Sequence, residues 1–209
     1  MTLNLSKIAY PITALGPGKR IALWVAGCPL RCRGCISAEL LPKTAGKEIP
    51  VARLVRRLLA LSDDYAGVTL SGGEPFAQAQ ALSELLAGIG AARPHWTWMA
   101  FSGFTIERLR RGTSAQQRLL AKLDALVDGP YVMSRPGSHP LTASANQRLH
   151  LLSPRARASR GDYDGLPYNQ ANLGIHPTAS DWLIGVVQPE ARQRLHRELA
   201  LTGPVEEGS

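Results

Sequence analysis

The chain has 209 residues, 44% of them hydrophobic, and 24 lysine and arginine against 16 aspartate and glutamate residues give a formal net charge of +8. This size and composition exclude a fibrous or disordered class and predict one domain with one substantial core. The first residues lack a basic segment followed by a long apolar stretch, and no run reaches the roughly 18 to 20 apolar residues of a membrane span. We therefore expect a cytoplasmic protein that does not bind a membrane.

The excess of basic residues predicts a solvated surface. Pairs such as Arg56-Arg57 and Arg110-Arg111 fall on predicted helix faces, where arginine usually faces solvent. No basic stripe is interleaved with aromatic residues, as single-strand binding would require. A nucleic-acid partner is therefore not expected.

The predicted elements alternate between strand and helix. In chain order they are a strand at 21–25, a helix at 51–61, a strand at 67–70, a helix around 82–89, a strand at 97–101, a short helix capped by Thr105, a longer helix opening at Ser114, and strands at 125–127 and 149–152. Such alternation with short connections predicts an α/β fold whose parallel sheet closes fully or partly into a barrel.

The remainder of the chain is less regular. Residues 153–171 are polar, basic and rich in glycine and tyrosine, which predicts a long loop or lid. A strand at 182–187 and a helix from Pro189 to about Leu201 follow. No internal repeat or change of composition marks a second domain, so we expect a core at 1–152 and an extension of the same domain at 153–209.

The three cysteines of the chain lie together in the segment GCPLRCRGC as Cys28, Cys32 and Cys35. Three thiolates in one short window make a disulfide framework implausible and favour a reducing compartment. They can hold three corners of an iron-sulfur cube and leave one iron open. A zinc site completed by a distant histidine, or mere proximity of the three cysteines, remains an alternative. The five histidines show no metal-ligand spacing with one another, and we interpret them as non-ligands.

The segment SGGEP, from Ser71 to Pro75, follows the next predicted strand. Its two adjacent glycines allow the backbone to approach a ligand closely and to adopt dihedral angles that other residues avoid. Glu74 adds a hydrogen-bond acceptor, and Pro75 stiffens the exit from the turn. Taken alone, the segment is compatible with an ordinary turn between a strand and a helix.

Together, the two motifs resemble the radical S-adenosylmethionine (SAM) enzymes. The cysteines have that superfamily's spacing of three and then two intervening residues, and SGGEP is similar to its GGEP-like segment. The resemblance implies that Cys28, Cys32 and Cys35 bind a [4Fe-4S] cluster. It also implies that the amino and carboxylate groups of SAM bind the open iron.

Further segments resemble the activating enzymes of glycyl radical enzymes, in particular the activase of anaerobic (class III) ribonucleotide reductase. Gly34, before the third cysteine, is glycine in that activase, whereas many radical SAM enzymes have an aromatic residue there. The other similar segments are Gly16-Pro17-Gly18 with Arg20, Ser102-Gly103-Phe104, LVDGPYV around Asp128, and residues 144–148. The similarity extends from about residue 8 to residue 152.

The resemblance implies a partial (β/α) barrel of the radical SAM type with an irregular C-terminal extension. The implied reaction is reductive cleavage of SAM to methionine and a 5′-deoxyadenosyl radical, which abstracts hydrogen from a glycine of a ribonucleotide reductase-like glycyl radical enzyme. The implied electron donor is a protein such as flavodoxin or ferredoxin.

The resemblance also implies roles for individual residues, although it names no catalytic side chain. Gly72, Gly73 and Glu74 would hold the methionine end of SAM, and Ser102 and Asp128 would reach its methionine or ribose. Asn146 and Arg148 are either further cofactor contacts or structural residues that satisfy loop carbonyl groups.

Two departures from the family pattern leave other functions open. Ile36 and Ser37 stand where the reductase activases have an aromatic or asparagine-containing step, and the extension from Ser153 lies beyond the similar region. The runner-up is therefore a radical SAM enzyme that modifies a peptide or small molecule directly, in a closed pocket lined by the extension. A non-enzymatic iron-sulfur or zinc module is the third hypothesis.

Overall fold

The computed structural model describes residues 1–174 and 182–201. Seven strands form one sheet in the spatial order β3-β1-β2-β4-β5-β6-β7. The strands are β1 (Thr2–Ile12), β2 (Arg20–Val25), β3 (Lys47–Pro50), β4 (Gly67–Gly72), β5 (Thr97–Phe101), β6 (Ala125–Asp128) and β7 (Arg148–Leu151). The central strands β2, β4, β5 and β6 are parallel, whereas β1, β3 and β7 pair antiparallel to their neighbours. The α/β class is therefore confirmed, with a parallel centre and antiparallel flanks.

Four helices follow the strands and cover one face of the sheet. They are α1 (Val51–Leu59), α2 (Ala79–Gly90), α3 (Ile106–Arg110) and α4 (Ser114–Lys122). Thr105 caps α3 as predicted, by accepting a hydrogen bond from the backbone N–H of Arg108. Thr113 and Gln116 form a reciprocal capping box at the start of α4, which satisfies N–H groups that the helix leaves unpaired.

The alternation of side chains along β2 divides the interior into two parts. Ile21, Leu23 and Val25 face the main core beneath the helices. Ala22 and Trp24 face the opposite side, because successive side chains of a strand point to opposite faces. Both faces of the sheet are thus covered by other parts of the chain.

The C-terminal extension packs on the face opposite the four helices. It contains α5 (Pro154–Ala158), α6 (Arg160–Asp164), β8 (Asn172–Gly174), β9 (Trp182–Ile184) and α7 (Pro189–Leu201). Tyr163 and Ala156 pack against Met99 of β5 and Val127 of β6. The guanidinium group of Arg155 binds the carboxylate of Asp124 at 2.6 Å and anchors α5 to the sheet.

The prediction of a long loop over residues 153–171 was wrong for 154–164, which form α5 and α6, whereas residues 165–171 are irregular. Ser153 caps α5 by accepting a hydrogen bond from the N–H of Ala156, and Pro154 occupies the first turn, where proline is favoured. These helices are too short to show a periodic pattern of apolar residues. Each buries a single side chain, Ala156 in α5 and Tyr163 in α6. The predicted strand at 182–187 is shorter, and residues 175–181 and 202–209 of the extension lie outside the described residues.

The sequence patterns also failed to predict β1 and β3. The pairing of β1 with β2 shifts register between Leu5 and Lys7 and again between Ala9 and Ile12. Each shift interrupts the alternation of buried and exposed positions by which a strand is recognised. Among the described residues, no helix is both long enough and apolar enough to span a membrane.

Arg20 ties the amino ends of three parallel strands together. Its side chain is 1% exposed and donates to the hydroxyl oxygens of Thr69 and Thr97 at 2.7 and 2.9 Å. It also donates to the backbone carbonyls of Pro17, Val68 and Thr97. Burial lowers the pKa of Arg20 to about 10, so the side chain remains charged at neutral pH.

We predict that Arg20→Met destabilises the protein by about 3 kcal/mol, because five buried or half-buried acceptors would lose a donor. Anaerobic thermal unfolding should show a melting temperature lower by about 6 to 12 °C. The matched control is Arg57→Met on α1, where the side chain is exposed. Equal melting temperatures for the two variants would contradict this account of Arg20.

Candidate functional site

The cysteine loop begins where β2 ends. The N–H of Gly27 donates to the carbonyl of Leu40 at 2.8 Å, and the N–H of Cys28 donates to the carbonyl of Leu41 at 3.0 Å. Leu40 is buried in a short 3-10 helix, Ala38–Leu40. The loop therefore closes on itself at the carboxyl end of the parallel strands, where parallel α/β sheets bind ligands.

The three cysteines are half-buried and free of disulfides. Arg31 and Gly34, between them, adopt φ values of +49° and +72°, and the N–H of Cys35 donates to the carbonyl of Cys32 at 3.2 Å. Burial raises the pKa of the Cys35 thiol, and negative charge on the other two cysteines raises it further. Bound iron would oppose this rise in the pKa of Cys35, since a metal ion favours the thiolate over the thiol.

The SGGEP segment packs directly against the backbone that leads into the cysteine loop. The N–H of Gly73 donates to the carbonyl of Val25 at 2.7 Å, and the N–H of Glu74 donates to the carbonyl of Gly27 at 2.9 Å. A Cβ atom on Gly73 would lie 2.3 Å from the carbonyl oxygen of Gly27, and one on Gly72 would lie 2.4 Å from that of Val25. Both glycines thus permit contact between backbone segments.

The carboxylate of Glu74 is buried and links two loops. One oxygen accepts hydrogen bonds from the N–H of Phe76 and from the hydroxyl of Ser102, both at 2.9 Å. The other accepts from the N–H of Gly103 at 2.8 Å. Burial raises the pKa of Glu74 to about 7 although these hydrogen bonds lower it. A cationic group beside this carboxylate would therefore be stabilising.

Asp128, at the end of β6, accepts one backbone hydrogen bond and lies beside a histidine. One carboxylate oxygen accepts from the N–H of Ile106 at 2.7 Å, and the other lies 3.0 Å from Nε2 of His150. His150 had been interpreted only as a non-ligand, and its place beside Asp128 depends on the antiparallel pairing of β6 with β7. The structure thus places Glu74, Ser102 and Asp128 at the carboxyl ends of three consecutive parallel strands.

Asn146 lies just before β7, and Arg148 is the first residue of that strand. The Asn146 amide nitrogen donates to the carbonyl of Pro130 at 2.6 Å, whereas its oxygen is buried without a hydrogen-bond partner. Arg148 is exposed and lies opposite Asp128 in the strand register. The oxygen of Asn146 is therefore an unsatisfied buried acceptor, and burial of a polar atom without a partner is costly.

These observations test whether the residues suit a cluster with SAM. Three thiols in one loop can bind iron, and the buried carboxylate of Glu74 and the unpaired amide oxygen of Asn146 are acceptors of the kind that the ammonium group of SAM requires. Within residues 1–174 and 182–201, no three histidine, cysteine or acidic side chains converge on a point that could hold a single metal ion. Thiolates that bind different irons of a cube need not converge in this way.

Comparison with known proteins agrees with this chemistry. The family described as a 4Fe-4S single cluster domain matches residues 14–150. The anaerobic ribonucleoside-triphosphate reductase-activating protein of Vibrio cholerae is 32% identical over 152 residues, covering 68% of this chain and 94% of that protein. The proteins of the same name from Enterobacteria phage T4 and Escherichia coli K12 are each 29% identical over 154 residues. Those alignments cover 70% and 68% of this chain and 93% and 96% of the relatives.

The fold and site thus define an α/β protein with a domain for a single [4Fe-4S] cluster. The chain belongs to the family of anaerobic ribonucleoside-triphosphate reductase-activating proteins. The family match ends at residue 150, three residues before the start of the extension at residue 153.

We predict that Gly73→Ala disturbs the cysteine loop. The added methyl group would overlap the backbone of Gly27, which cannot move without shifting Cys28. We expect the variant to retain less than about half of the wild-type iron and to lose about 2 kcal/mol of stability. Iron and sulfide analysis after anaerobic reconstitution measures the first effect, and urea unfolding measures the second.

The control for this variant is Gly161→Ala in α6, where a Cβ atom would have no neighbour within 4 Å. That substitution should leave the iron content unchanged. Full iron content in the Gly73 variant would show that the close backbone contact is not needed to shape the loop.

We predict a pH-dependent contribution of Glu74 to stability. Because its pKa rises from 4.5 to about 7 on folding, the folded chain binds this proton more tightly than the unfolded chain. The contribution is therefore complete below pH 4.5 and is lost as the pH rises to about 7. Relative to Glu74→Gln, the wild type should lose up to about 3 kcal/mol of unfolding free energy over this range.

Urea unfolding of the cluster-free chain at several pH values measures this difference. The exposed Glu84 provides the control, since Glu84→Gln should follow the wild type at every pH. A constant difference between the wild type and the Glu74 variant would contradict the burial of a titrating carboxyl group at this position.

Proposed function

We propose that this protein activates an anaerobic ribonucleotide reductase by removing a hydrogen atom from a glycine of that enzyme. The observation that carries the proposal is the three-cysteine loop bonded to the backbone of SGGEP, in a chain that belongs to the activating-protein family. The function requires an iron-sulfur cluster, and the cluster domain of this family covers both motifs.

We further propose that SAM is the second cofactor and that the sheet forms a partial (β/α) barrel of the radical SAM type. Parallel strands β2, β4, β5 and β6, with helices on one face, support this architecture. The packing of α5 and α6 on the same sheet supports a single domain, with its core at 1–152 and its extension at 153–209.

The proposed roles of the site residues follow from their positions. Cys28, Cys32 and Cys35 would ligate the cluster, and Gly72, Gly73 and Glu74 would hold the methionine end of SAM. The ionised Glu74 carboxylate would be stabilised by the ammonium group of methionine. Ser102 and Asp128 would reach the methionine or ribose of SAM. Asn146, through its unpaired oxygen, and Arg148 would be further cofactor contacts.

When held by Cys28, Cys32 and Cys35, the cluster would supply one electron to SAM, and the chemistry of the cofactors would provide the radical that takes a hydrogen atom from the glycine. The chain's own contribution is to position and shield these reactants. The carboxylates of Glu74 and Asp128 hold the segment after β5 in place, because they accept hydrogen bonds from the N–H groups of Gly103 and Ile106. A loop fixed in this way keeps reacting atoms in place, and its exclusion of water protects a radical from side reactions.

We propose a protein such as flavodoxin or ferredoxin as the electron donor and the cytoplasm as the site of action. A reducing compartment keeps the three cysteines available as thiolates. The partner would be the ribonucleotide reductase itself.

The proposal predicts that the anaerobically reconstituted protein, reduced with dithionite in the presence of SAM, forms 5′-deoxyadenosine. Addition of the anaerobic reductase from the same organism should give a glycine-centred doublet in the electron paramagnetic resonance spectrum. Cys32→Ala should abolish the brown colour of the cluster and reduce 5′-deoxyadenosine formation to background, because one of three thiolate ligands is lost.

Arg148→Ala is the control for the cluster alone, since the side chain is exposed and the brown colour should remain. Failure of the wild type to cleave SAM would refute the proposed reaction. Cleavage without a radical on the reductase would favour the runner-up, in which a peptide or small molecule is modified directly.

A further inference from the structure

The cysteine loop crosses the carboxyl ends of three neighbouring parallel strands. At its start, its backbone accepts a hydrogen bond from the N–H of Glu74, just after β4. In its middle, the side chain of Leu30 occupies the place of a Cβ atom on Gly103, which follows β5. Near its end, Gly34 lies against Met133, in the segment that follows β6. The loop thus runs from the β4 side of the site to the β6 side.

Met133 fills the space that a side chain at position 34 would occupy. A Cβ atom on Gly34 would lie 2.7 Å from the sulfur of Met133 and 3.5 Å from its Cβ and Cγ atoms. Gly34 has a φ of +72°, a conformation that favours glycine over residues with a side chain. The loop therefore has no side chain of its own directly before Cys35, and a methionine from another segment covers it there.

Hydrogen bonds on both sides of Met133 hold its backbone in place. The N–H of Val132 donates to the hydroxyl of Ser144 at 3.2 Å, and the N–H of Ala145 donates to the carbonyl of Arg135 at 2.8 Å. Both partners belong to the segment just before β7 that resembles the activases. The side chain of Met133 is nevertheless 51% exposed. A half-exposed thioether is thus held at a defined position over the cysteine loop.

A thioether in this position is suited to contact with an aromatic ring. Its polarisable sulfur packs favourably against aromatic groups, and the one aromatic group of SAM is its adenine ring. The argument rests on the proposed function, in which Glu74 holds the methionine end of SAM on the β4 side. Strands β4 and β6 are two strand spacings apart, about 10 Å, so the adenosine end of SAM is the part that reaches the β6 side.

We propose that Met133 is a specificity-determining residue that packs against the adenine ring of SAM. The ring lies beside Gly34, and the methionine side chain covers it where the loop itself offers no side chain. The segment before β7 supports this contact, because its hydrogen bonds fix the backbone on either side of Met133. SAM is then recognised at its two ends by segments that follow different strands.

The decisive variant is Met133→Ala, measured by 5′-deoxyadenosine formation with dithionite as reductant. We expect its KM for SAM to rise about three- to tenfold, the loss expected for one contact between sulfur and an aromatic ring. Its kcat should stay within about twofold of the wild type, because the contact contributes to binding and not to the reaction step. Met133→Leu should keep KM within about twofold, since it preserves the volume of the side chain.

Two controls separate this contact from a general effect on the protein. Leu173→Ala in β8 removes an apolar side chain that is 45% exposed elsewhere on the surface, and it should leave KM unchanged. Free L-methionine lacks the adenine ring, so its inhibition constant should be the same for the wild type and for Met133→Ala. S-adenosylhomocysteine keeps the ring and should bind more weakly by the same factor as SAM.

A KM for SAM within twofold of the wild type in Met133→Ala would overturn the proposal. So would a loss of iron, or an equal weakening of L-methionine and SAM, because the side chain would then shape the loop and not contact adenine. These outcomes require a wild type that cleaves SAM. Failure of the proposed function differs, since the wild type itself would then form no 5′-deoxyadenosine.

Discussion

The geometry of the site depends on a contact between two backbone segments. One segment is the end of β4, and the other is the start of the cysteine loop. Gly73 and Glu74 donate to the carbonyls of Val25 and Gly27, and the absence of side chains at Gly72 and Gly73 allows this approach. The contact extends the pairing of β2 with β4 beyond the last residues of both strands. It thereby joins the two motifs, which are separated by one βα unit.

Buried polar side chains then fix the neighbouring loops. Glu74 and Asp128 each accept hydrogen bonds from backbone N–H groups of the segment after β5, and Ser102 connects that segment to Glu74. Most of their hydrogen-bonding capacity is satisfied within the chain, whereas Asn146 keeps one unpaired buried oxygen. The site combines a rigid frame with a few unsatisfied groups, an arrangement that suits binding of a cofactor.

The amino ends of the central strands contribute to stability, whereas the carboxyl ends carry the candidate site. Arg20 satisfies carbonyl and hydroxyl groups at the amino ends of the strands, far from the cysteines along β2, and so contributes stability. The extension after residue 152 buries Tyr163 and Ala156 against the sheet, whereas Ile36 and Met133 stay exposed beside the cysteine loop. Interior packing is therefore satisfied within the chain, while apolar side chains beside the cysteine loop remain exposed.

The sequence by itself determined the α/β class, the central strands and the two motifs, because each depends on local periodicity or on spacing within a few residues. It also determined the cap at Thr105 and the start of α4 at Ser114, whereas the capping role of Thr113 was not predicted. Only the tertiary structure decided the antiparallel edge strands, the partners of Glu74 and the position of Met133 over Gly34. The physical reason is that these features depend on contacts between segments far apart in the chain, where register and burial select the partner.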